Sequence, residues 1–169
     1  MKILTATLSD APVLADFFLD HIQTHPAYIS HGEIQMGVGE VYEQDGVLCT
    51  RPAADAREKW MKYITEHLEN PSMAHVWKAI SAEGELLGFV VADIEDDGDA
   101  PFGMVCDVLV KEGFRGLGTG ARLLQTAIAW LRECGVKDIY LESGKDNHAA
   151  HRFFEKRGFE HVSEIYKLV

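Results

Sequence analysis

Hydrophobic and polar positions alternate with two different periods along the chain, and the changes of period divide it into predicted strands and helices. A β-branched, apolar stretch over residues 2 to 7 predicts a first strand. Apolar residues then recur at helical spacing up to a stop at Pro26, and again from Ala53 to the Asn-Pro pair at Asn70. These stretches predict two helices, whereas residues 26 to 50 contain five glycines or prolines and no clear period.

The second half of the chain predicts a three-stranded meander followed by alternating helices and strands. Two alternating stretches flank a Glu-Gly turn as a hairpin, and a third follows them. The predicted elements are strands over residues 75 to 80, 86 to 94 and 102 to 110, a helix over 118 to 134, a strand over 138 to 142, a helix from Asn147 to Gly158 and a last strand over 161 to 168. This order predicts an α/β or α+β fold with a mixed sheet, in a single domain over residues 1–169.

Charge and composition limit the partners. The net charge of −11 lacks the clustered Lys and Arg that a general nucleic-acid surface needs, so no nucleic-acid partner is expected. The acidic balance suits a cationic substrate such as an amine, and simple solubility explains it equally well. Cys49, Cys106 and Cys134 are widely spaced, which predicts reduced thiols in a cytoplasmic protein. No apolar run is long enough to span a bilayer, so no membrane partner is expected.

The spacing of potential ligands predicts no metal site. The acidic run from Asp93 to Asp99 has neither the length nor the spacing of an EF-hand loop, and a solvated hairpin tip explains it better. The cysteines form no C-x-x-C pair. His148 and His151 are one helical turn apart with no third ligand nearby, so solvent-facing helix positions explain them, with His151 a minor candidate for contacting the acceptor or cofactor. His21 and His25 are likewise one turn apart, but the residues between them lack the glutamate of a zincin pattern.

The stretch from Cys106 to Arg132 leads from a strand through a glycine-rich loop into an amphipathic helix. Gly116, Gly118 and Gly120 alternate where that helix begins. Glycine at these positions lets backbone amides face outward at a helix start that already favours anions. The pattern therefore predicts a phosphate cradle, with a purely structural glycine turn as the alternative.

A dinucleotide-binding loop is a second alternative, because the same residues fit the form G-x-G-x-x-A, with Glu142 following at a later strand. In such a loop the first glycine follows its strand almost directly, whereas Lys111 to Arg115 intervene here. Only 27 residues follow Glu142, too few to complete a doubly wound sheet. Context therefore disfavours the dinucleotide interpretation.

Two motifs in register resemble the acetyl-CoA-binding core of the GCN5-related N-acetyltransferases, the GNAT superfamily. The first is R-x-x-G-x-G, from Arg115 to Gly120, and the second is N-x-x-A-x-x-F-F-x-x-x-G-F, from Asn147 to Phe159. The similarity covers about residues 102 to 169, and the element order agrees back to the amino terminus. The resemblance implies a mixed central sheet flanked by helices, acetyl-CoA as co-substrate without a metal, and direct attack of a primary amine in a ternary complex.

The resemblance also implies which positions bind the cofactor. Backbone amides of the glycine loop would hold the pyrophosphate of CoA, with an arginine and the helix dipole adding positive potential. The matching loop residues are Arg115, Gly116, Leu117, Gly118, Thr119, Gly120 and Ala121. The main chain of Val108, Leu109 and Val110 would pair with the pantetheine arm like an added strand. Asn147 and Phe154 would lie near that arm, and Asn147 has an equally adequate role as a helix N-cap.

Candidate catalytic residues lie outside the cofactor loop. Glu142, at the end of its strand, matches a catalytic glutamate of some amino-terminal acetylating members and is the first candidate base, with Asp107 second. Phe154 stands where many relatives carry a tyrosine general acid. Phenylalanine preserves the packing of the aromatic ring but has no hydroxyl proton to donate. Tyr166 is the first candidate to replace it, followed by Tyr140 or a water.

The acceptor is not readable from the sequence. In the family the first two helices and their connection shape the acceptor site, and either a small-molecule or a peptide amine fits. Candidate lining residues in that region are Tyr28, Glu33, Glu40, Tyr42 and Glu43. A homodimer is compatible with the resemblance. The alternative function is a non-catalytic CoA-binding or regulatory module, which the phenylalanine at position 154 suggests.

Overall fold

The computed structural model describes residues 1–96, 98, 100–166 and 168, and in them the chain forms seven strands and five helices. The strands are β1 Lys2–Thr5, β2 Gly39–Gln44, β3 Val47–Pro52, β4 Ala74–Ile80, β5 Leu86–Glu95, β6 Phe102–Val110 and β7 Ile139–Leu141. The helices are α1 Ala11–Thr24, α2 His31–Gln35, α3 Ala56–Glu69, α4 Thr119–Glu133 and α5 His148–Glu155. The predicted α/β class is confirmed.

The chain divides into two compact units. The first comprises Met1–Phe18 and Trp60–Leu141, and the second comprises Leu19–Lys59 and Glu142–Val169. The single domain over residues 1–169 stays a prediction. The first unit contains a five-stranded sheet in the order β1-β4-β5-β6-β7, in which only β6 and β7 run parallel. The sheet is therefore mixed, as the resemblance implies.

Helices cover both faces of this sheet because its strands alternate apolar side chains on each side. On one face, Phe18 of α1 stacks on Trp60 of α3 with ring centroids 4.6 Å apart, and Trp60 lies 5.6 Å from Phe89 of β5. On the other face, Trp130 of α4 lies 5.7 Å from Trp77 of β4. The core of the first unit is thus two layers of aromatic and aliphatic contacts around one sheet.

A short 3₁₀ turn precedes the first helix. Thr7 is the N-cap of a short 3₁₀ turn, Leu8–Asp10, that leads into α1. Asp10 Oδ2 accepts a hydrogen bond from the Thr7 amide at 2.8 Å, and Lys78 Nζ lies 2.5 Å from Asp10 Oδ1. This carboxylate therefore joins the start of α1 to the sheet.

The second unit contains a β-hairpin that sequence periodicity does not reveal. β2 and β3 pair antiparallel from Gly39 with Pro52 to Gln44 with Val47. The turn residues Asp45 and Gly46 have φ values of 52° and 77°, as a type I′ turn requires. The Asp-Gly pair is a strong hairpin signal, but the strands beside it are short and mostly not buried, which blurs their period.

The predicted last strand over residues 161 to 168 is wrong for the part of it that the structure describes, which has no regular secondary structure. Its large apolar side chains, Val162, Ile165, Tyr166 and Leu168, are exposed. Alternating apolar residues form a strand only where a neighbouring strand completes the hydrogen-bond ladder and the apolar face is covered. Lys167 lies outside the described residues, as do Asp97 and Asp99 of the predicted acidic turn.

None of the helices in the described part of the chain combines the length and the apolar character that crossing a bilayer requires.

Candidate active site

The glycine loop of the first unit has the backbone geometry that the phosphate-cradle prediction needs. Gly116 and Gly118 have φ values of 77° and 87°, in the left-handed region that favours glycine. Gly118 is the N-cap of α4, and the helical hydrogen-bond ladder starts with the Arg122 amide donating to Gly118 O at 3.1 Å. The preceding amides of the first helical turn have no acceptor within the helix. They form a site suited to an anion.

The space in front of this loop is open. A Cβ atom added at Gly116 or Gly118 would have no neighbouring atom within 4 Å. Leu117 is exposed, whereas the Thr119 side chain is buried, so a role of Thr119 toward a ligand would fall to its backbone. Arg115 Nε donates to Val110 O at 3.2 Å, which ties the guanidinium to the end of β6 beside the loop.

Strand β6 is paired with β7 over only part of its length. The parallel pairing covers Gly103 with Ile139 to Val105 with Leu141 and stops there. Val108, Leu109 and Val110 lie beyond it, and on that side no strand of the described chain continues the sheet. Leu109 is buried and its neighbours are half-buried. The main chain at this edge has the extended conformation that a peptide-like arm can join.

A β-bulge directs two neighbouring side chains of β6 toward the same helix. Val91 pairs with Asp107 and Ala92 pairs with Val105, so Cys106 is the extra residue between two consecutive pairs. Without the bulge, Cys106 and Asp107 would point to opposite faces of the sheet. With it, both lie on the face that α3 covers, where Tyr63 interacts with both of them.

Asp107, the second candidate base, is buried and held by a phenol. Tyr63 Oη donates to Asp107 Oδ2 at 3.1 Å. Burial raises the pKa of Tyr63 well above its usual value, and the negative charge of Asp107 raises it further, so the phenol stays protonated and keeps donating.

His67 lies one turn further along α3 and completes a cluster with Tyr63, Asp93, Cys106 and Asp107. Its Nδ1 lies 2.9 Å from Tyr63 O and its Nε2 lies 3.2 Å from Asp93 Oδ2 on β5. Burial lowers the pKa of His67, but the hydrogen bonds to Asp93 and to the Tyr63 carbonyl outweigh it and raise the pKa overall. Burial raises the pKa of Cys106 well above its usual value, and the charges of Asp93 and Asp107 add to the rise.

This cluster does not follow from the sequence. The spacing of Tyr63 and His67 by four residues places them on one helix face, which is a readable signal. The bulge at Cys106 and the register of β5 on β6 have no local signature, and they bring Asp93 and Asp107 to that helix.

Glu142, the first candidate base, belongs to the second unit and lies at the beginning of α2. Its Oε1 accepts a hydrogen bond from the Gly32 amide at 2.9 Å, and its Oε2 lies 3.6 Å from His31 Nδ1. The side chain is 35% exposed. The Gly32 amide therefore fixes one oxygen of the carboxylate, while the side chain as a whole stays partly exposed to solvent. Asp107, the second candidate, belongs to the first unit.

The other predicted residues of the second unit have identifiable structural partners. Asn147 caps α5, where its Oδ1 accepts from the Ala150 amide at 3.2 Å. His151 Nε2 lies 3.0 Å from Gly144 O, which anchors the loop between Glu142 and the cap. The Phe154 ring packs against Phe153 and Phe159.

Tyr166 is 87% exposed, and its hydroxyl donates to Glu164 at 2.6 Å. It has no buried surroundings that would fix it toward a reacting group.

The five candidate acceptor-lining residues also fall in the second unit. Glu33 closes a capping box on Ser30 at the start of α2. Glu40 Oε2 lies 3.1 Å from Arg51 Nε across the β2–β3 hairpin, and the Arg51 guanidinium lies 5.0 Å from the centre of the Tyr42 ring. The Tyr28 ring lies against two histidines at the end of α1, and Glu43 pairs with a leucine of β3.

Comparison with known proteins identifies the class to which this fold and loop belong. The sequence profile of the acetyltransferase (GNAT) family matches residues 40–159, more than half of the chain. The chain therefore belongs to the GNAT family, as its two motifs predict, and is an acetyltransferase.

The names of two similar proteins indicate different acceptors. N-alpha-acetyltransferase 30 of Schizosaccharomyces pombe is 24% identical over 125 residues, which are 71% of this chain and 80% of that protein. Aminoglycoside N(6')-acetyltransferase type 1 of Stenotrophomonas maltophilia is 26% identical over 110 residues, which are 62% of this chain and 71% of that protein.

Solved structures show the same fold. One is described as a predicted acetyltransferase of Clostridium acetobutylicum with acetyl-CoA. It has a TM-score of 0.71 and 16% identity, covering 99% of this chain and 95% of its own. The apo aminoglycoside 6'-N-acetyltransferase of Acinetobacter haemolyticus has a TM-score of 0.71 and 13% identity, covering 100% and 97%.

Proposed function

We propose that the protein transfers an acetyl group from acetyl-CoA to a primary amine, by direct attack of the amine in a ternary complex. The observation that carries this proposal is the continuous run from β6 to α4. The edge of β6 is no longer paired with β7 after Val105. The glycine loop follows β6, and the space in front of its backbone amides is open. The first part suits an extended amide-containing arm and the second suits a pyrophosphate. CoA contains both in this order.

The first unit supplies the loop and strand contacts that we propose for CoA. Amides from Gly116 to Ala121 would hold the pyrophosphate at the positive end of the α4 dipole. Arg115, tied to Val110 O beside the loop, would add positive charge. The backbone of Val108–Val110 would hydrogen bond to the pantetheine arm. Asn147 and Phe154 are proposed cofactor contacts on the strength of the family motif.

Glu142 is the proposed base. Direct transfer requires a neutral amine, because an ammonium ion has no lone pair with which to attack the thioester carbonyl. The Gly32 amide fixes one carboxylate oxygen of Glu142, and the side chain is partly exposed, which leaves it open to an incoming amine. Asp107, which is 8% exposed and hydrogen bonded to a phenol, is the second candidate. Its proposed role is to orient the acceptor if Glu142 takes the proton.

The proton that the departing CoA thiolate takes up has three candidate sources, since Phe154 carries none. They are Tyr166, Tyr140 and water. The Tyr166→Phe and Tyr140→Phe variants separate them: a kcat that falls by about tenfold or more in one variant assigns the step to that phenol. An unchanged kcat in both variants assigns it to water, which the exposure of the two tyrosines favours.

The acceptor class is proposed as a primary amine on a cationic small molecule or a peptide. The excess of acidic residues, with a net charge of −11, favours the approach of cationic acceptors. The two relatives described above are by name an N-alpha-acetyltransferase and an aminoglycoside N(6')-acetyltransferase, and both names specify transfer to nitrogen.

Cofactor binding is tested by thermal shift with CoA and with NAD on the wild type and two glycine variants. Gly118→Ala adds a methyl group in the proposed cradle. Gly135→Ala is its matched control, because Gly135 lies just beyond the other end of α4 with a φ of 84° and equally open space. Both variants carry a similar backbone strain of about 1–3 kcal/mol. We expect CoA to stabilise the wild type and Gly135→Ala much more than Gly118→Ala.

Catalysis is tested by an amine-library screen for acetyl-CoA-dependent thiol release. Turnover with at least one amine supports the enzyme. CoA binding without turnover across a broad library would instead favour the regulatory module, which Phe154 suggests. Stabilisation by NAD and not by CoA would contradict the cofactor assignment itself.

A further inference from the structure

Three metal-ligating side chains from three different elements meet beside the bulge in β6. They are His67 of α3, Asp93 of β5 and Cys106 of β6, and their ligand atoms all lie within 4.8 Å of one another. The closest pair is His67 Nε2 and Asp93 Oδ2 at 3.2 Å. All three belong to the first unit. None of them has a role in the proposed acetyl transfer.

The histidine is oriented as metal-binding histidines usually are. Its Nδ1 lies 2.9 Å from the Tyr63 carbonyl oxygen, which accepts a hydrogen bond only if Nδ1 carries the proton. In neutral His67 the lone pair is then on Nε2, the nitrogen that faces Asp93 and Cys106. A backbone carbonyl on the far ring nitrogen fixes both the tautomer and the ring plane of a metal ligand.

The carboxylate has an unused oxygen in a buried position. Asp93 Oδ2 faces His67, but Asp93 Oδ1 is inaccessible to solvent and has no hydrogen-bond partner among the described residues. Leaving a buried carboxylate oxygen unsatisfied is unfavourable, and native proteins rarely tolerate it without a compensating ion or water. A cation between Asp93 and its neighbours would satisfy this atom.

The bulge explains why a thiol completes the group. Cys106 is the extra residue of β6 and lies on the face that α3 covers, together with Asp107. A nitrogen, an oxygen and a sulfur ligand in one cluster match the preferences of Zn²⁺. We propose that His67, Asp93 and Cys106 form a three-ligand site for a divalent cation of the Zn²⁺ class, with Cys106 bound as thiolate after its proton has passed to solvent.

The geometry needs only a small adjustment. Zn²⁺ bonds of about 2.0–2.3 Å place two ligands of a tetrahedral ion roughly 3.3–3.7 Å apart. The His67 to Asp93 distance is already close to that. The widest pair, which lies within 4.8 Å, would move inward by about 1 Å on binding the ion. Spacing along the sequence does not reveal the site, because each ligand comes from a separate element.

The experiment is a Co²⁺ titration of the chelator-treated full chain, because Co²⁺ takes Zn²⁺ sites and a cobalt–thiolate bond gives a charge-transfer band in the near ultraviolet. We expect one equivalent of Co²⁺ to produce this band and Zn²⁺ to abolish it by displacement. Cys106→Ser should lose the band. Cys134→Ser, which removes an exposed thiol, should keep it. His148→Gln should also keep it, which separates the site from the paired rings of His148 and His151.

A wild-type measurement makes the outcome independent of whether Cys106→Ser folds. X-ray absorption of the protein loaded with one equivalent of Zn²⁺ should show one sulfur ligand at about 2.3 Å beside nitrogen and oxygen ligands. A shell of nitrogen and oxygen alone, a band that Cys106→Ser retains, or no cobalt band at all would each overturn the proposal. In those cases the cluster is a hydrogen-bonded His67–Asp93 pair.

Discussion

The two candidate bases differ chiefly in what surrounds each carboxylate. Asp107 is buried under α3 and accepts a hydrogen bond from a phenol that burial keeps protonated. Glu142 is partly exposed, with one oxygen held by a backbone amide. A base in direct transfer must meet both the acceptor and a path for the proton to solvent. Glu142 satisfies this requirement better, and Asp107 is better suited to a fixed, orienting charge.

Replacing Glu142 by glutamine should therefore impair turnover without impairing cofactor binding. The side-chain carbonyl of glutamine can still accept the hydrogen bond from the Gly32 N–H, but the side chain cannot take up a proton. We expect kcat/KM to fall by about a hundredfold or more at neutral pH, since a general base contributes on this order. The measurement is steady-state kinetics with an amine from the screen, alongside a CoA thermal shift.

Asp107→Asn is the matched comparison. If Asp107→Asn abolishes the rise of kcat/KM with pH on the acidic side of the profile while Glu142→Gln leaves that rise in place, the assignment of the two carboxylates is reversed.

Asp10 gives a second prediction at this scale, on stability. Burial alone would raise the pKa of Asp10, but hydrogen bonds from Lys78 and Thr7 outweigh it and lower the pKa overall. A lowered folded-state pKa contributes stability above the unfolded-state pKa, and this contribution is lost as the pH falls through the folded-state value. We expect Asp10→Asn to cost about 1–2 kcal/mol near neutral pH and much less near pH 3.

Urea unfolding of wild type and Asp10→Asn at the two pH values measures this difference. Glu66→Gln is the control, because Glu66 forms an exposed pair with Lys62 at 3.8 Å, and such pairs contribute little. A cost of Asp10→Asn that is the same at both pH values would show that the lost interaction is not ionic.

Within the elements, two strand glycines mark close approaches of different kinds. A Cβ atom at Gly88 of β5 would lie 2.3 Å from the Leu109 carbonyl oxygen of β6. A Cβ atom at Gly103 of β6 would lie 2.8 Å from the terminal carbons of Leu131 on α4. The first obstacle is backbone in a paired strand, and the second is the end of a side chain with rotatable torsions.

Gly88→Ala should consequently destabilise the fold more than Gly103→Ala. We expect a loss of about 2–3 kcal/mol or more for Gly88→Ala, the upper range for an overfilled site, and about 1–2 kcal/mol for Gly103→Ala, where Leu131 can change rotamer. Chemical denaturation of both variants measures the two values. Equal losses of stability for the two variants would contradict this prediction, because they would show that the paired backbone of β5 and β6 adjusts to a methyl group as readily as the Leu131 side chain does.

The elements that the sequence predicts well are those whose residues are buried on a regular period. β6 is predicted with its bounds over residues 102 to 110, and α4 within a residue or two at each end. The hairpin β2–β3 is missed because its exposed strands have no apolar face, although its Asp-Gly turn is visible. The last strand is predicted from alternation alone, which does not say whether a partner strand is present.

For the molecule as a whole, the family and the glycine loop are readable from motifs, and the cluster around Tyr63 is not. Motif residues lie next to each other in the chain, and glycine spacing before a helix carries its own physical meaning. The cluster depends on the β-bulge in which Cys106 is the extra residue of β6, and on the pairing of β5 with β6. Register of this kind is decided by the packing of the complete sheet.

The net charge of −11 gives a prediction at the scale of the whole chain. Excess carboxylates repel one another in the compact state, and salt screens this repulsion. Raising the ionic strength from about 0.01 M to about 0.15 M shortens the screening length from roughly 30 Å to roughly 8 Å. We expect Tm at neutral pH to rise by about 2–4 °C, measured by differential scanning fluorimetry.

The control for this prediction is the same salt series near the isoelectric point, about 5.1, where the net repulsion vanishes. A salt effect that persists unchanged there would point to specific ion binding in place of screening.

The short pairing of β6 with β7 has a consequence for the concentration of protein that a solution can hold. An extended edge with exposed backbone groups is a template on which a strand of another molecule can add, and chains associate edge to edge. Under the proposed function the pantetheine arm covers the edge at Val108–Val110, so the cofactor also acts as a reversible guard against self-association. Protein depleted of CoA should then aggregate sooner than protein saturated with it, and the supply of CoA would set how much of the enzyme stays dispersed.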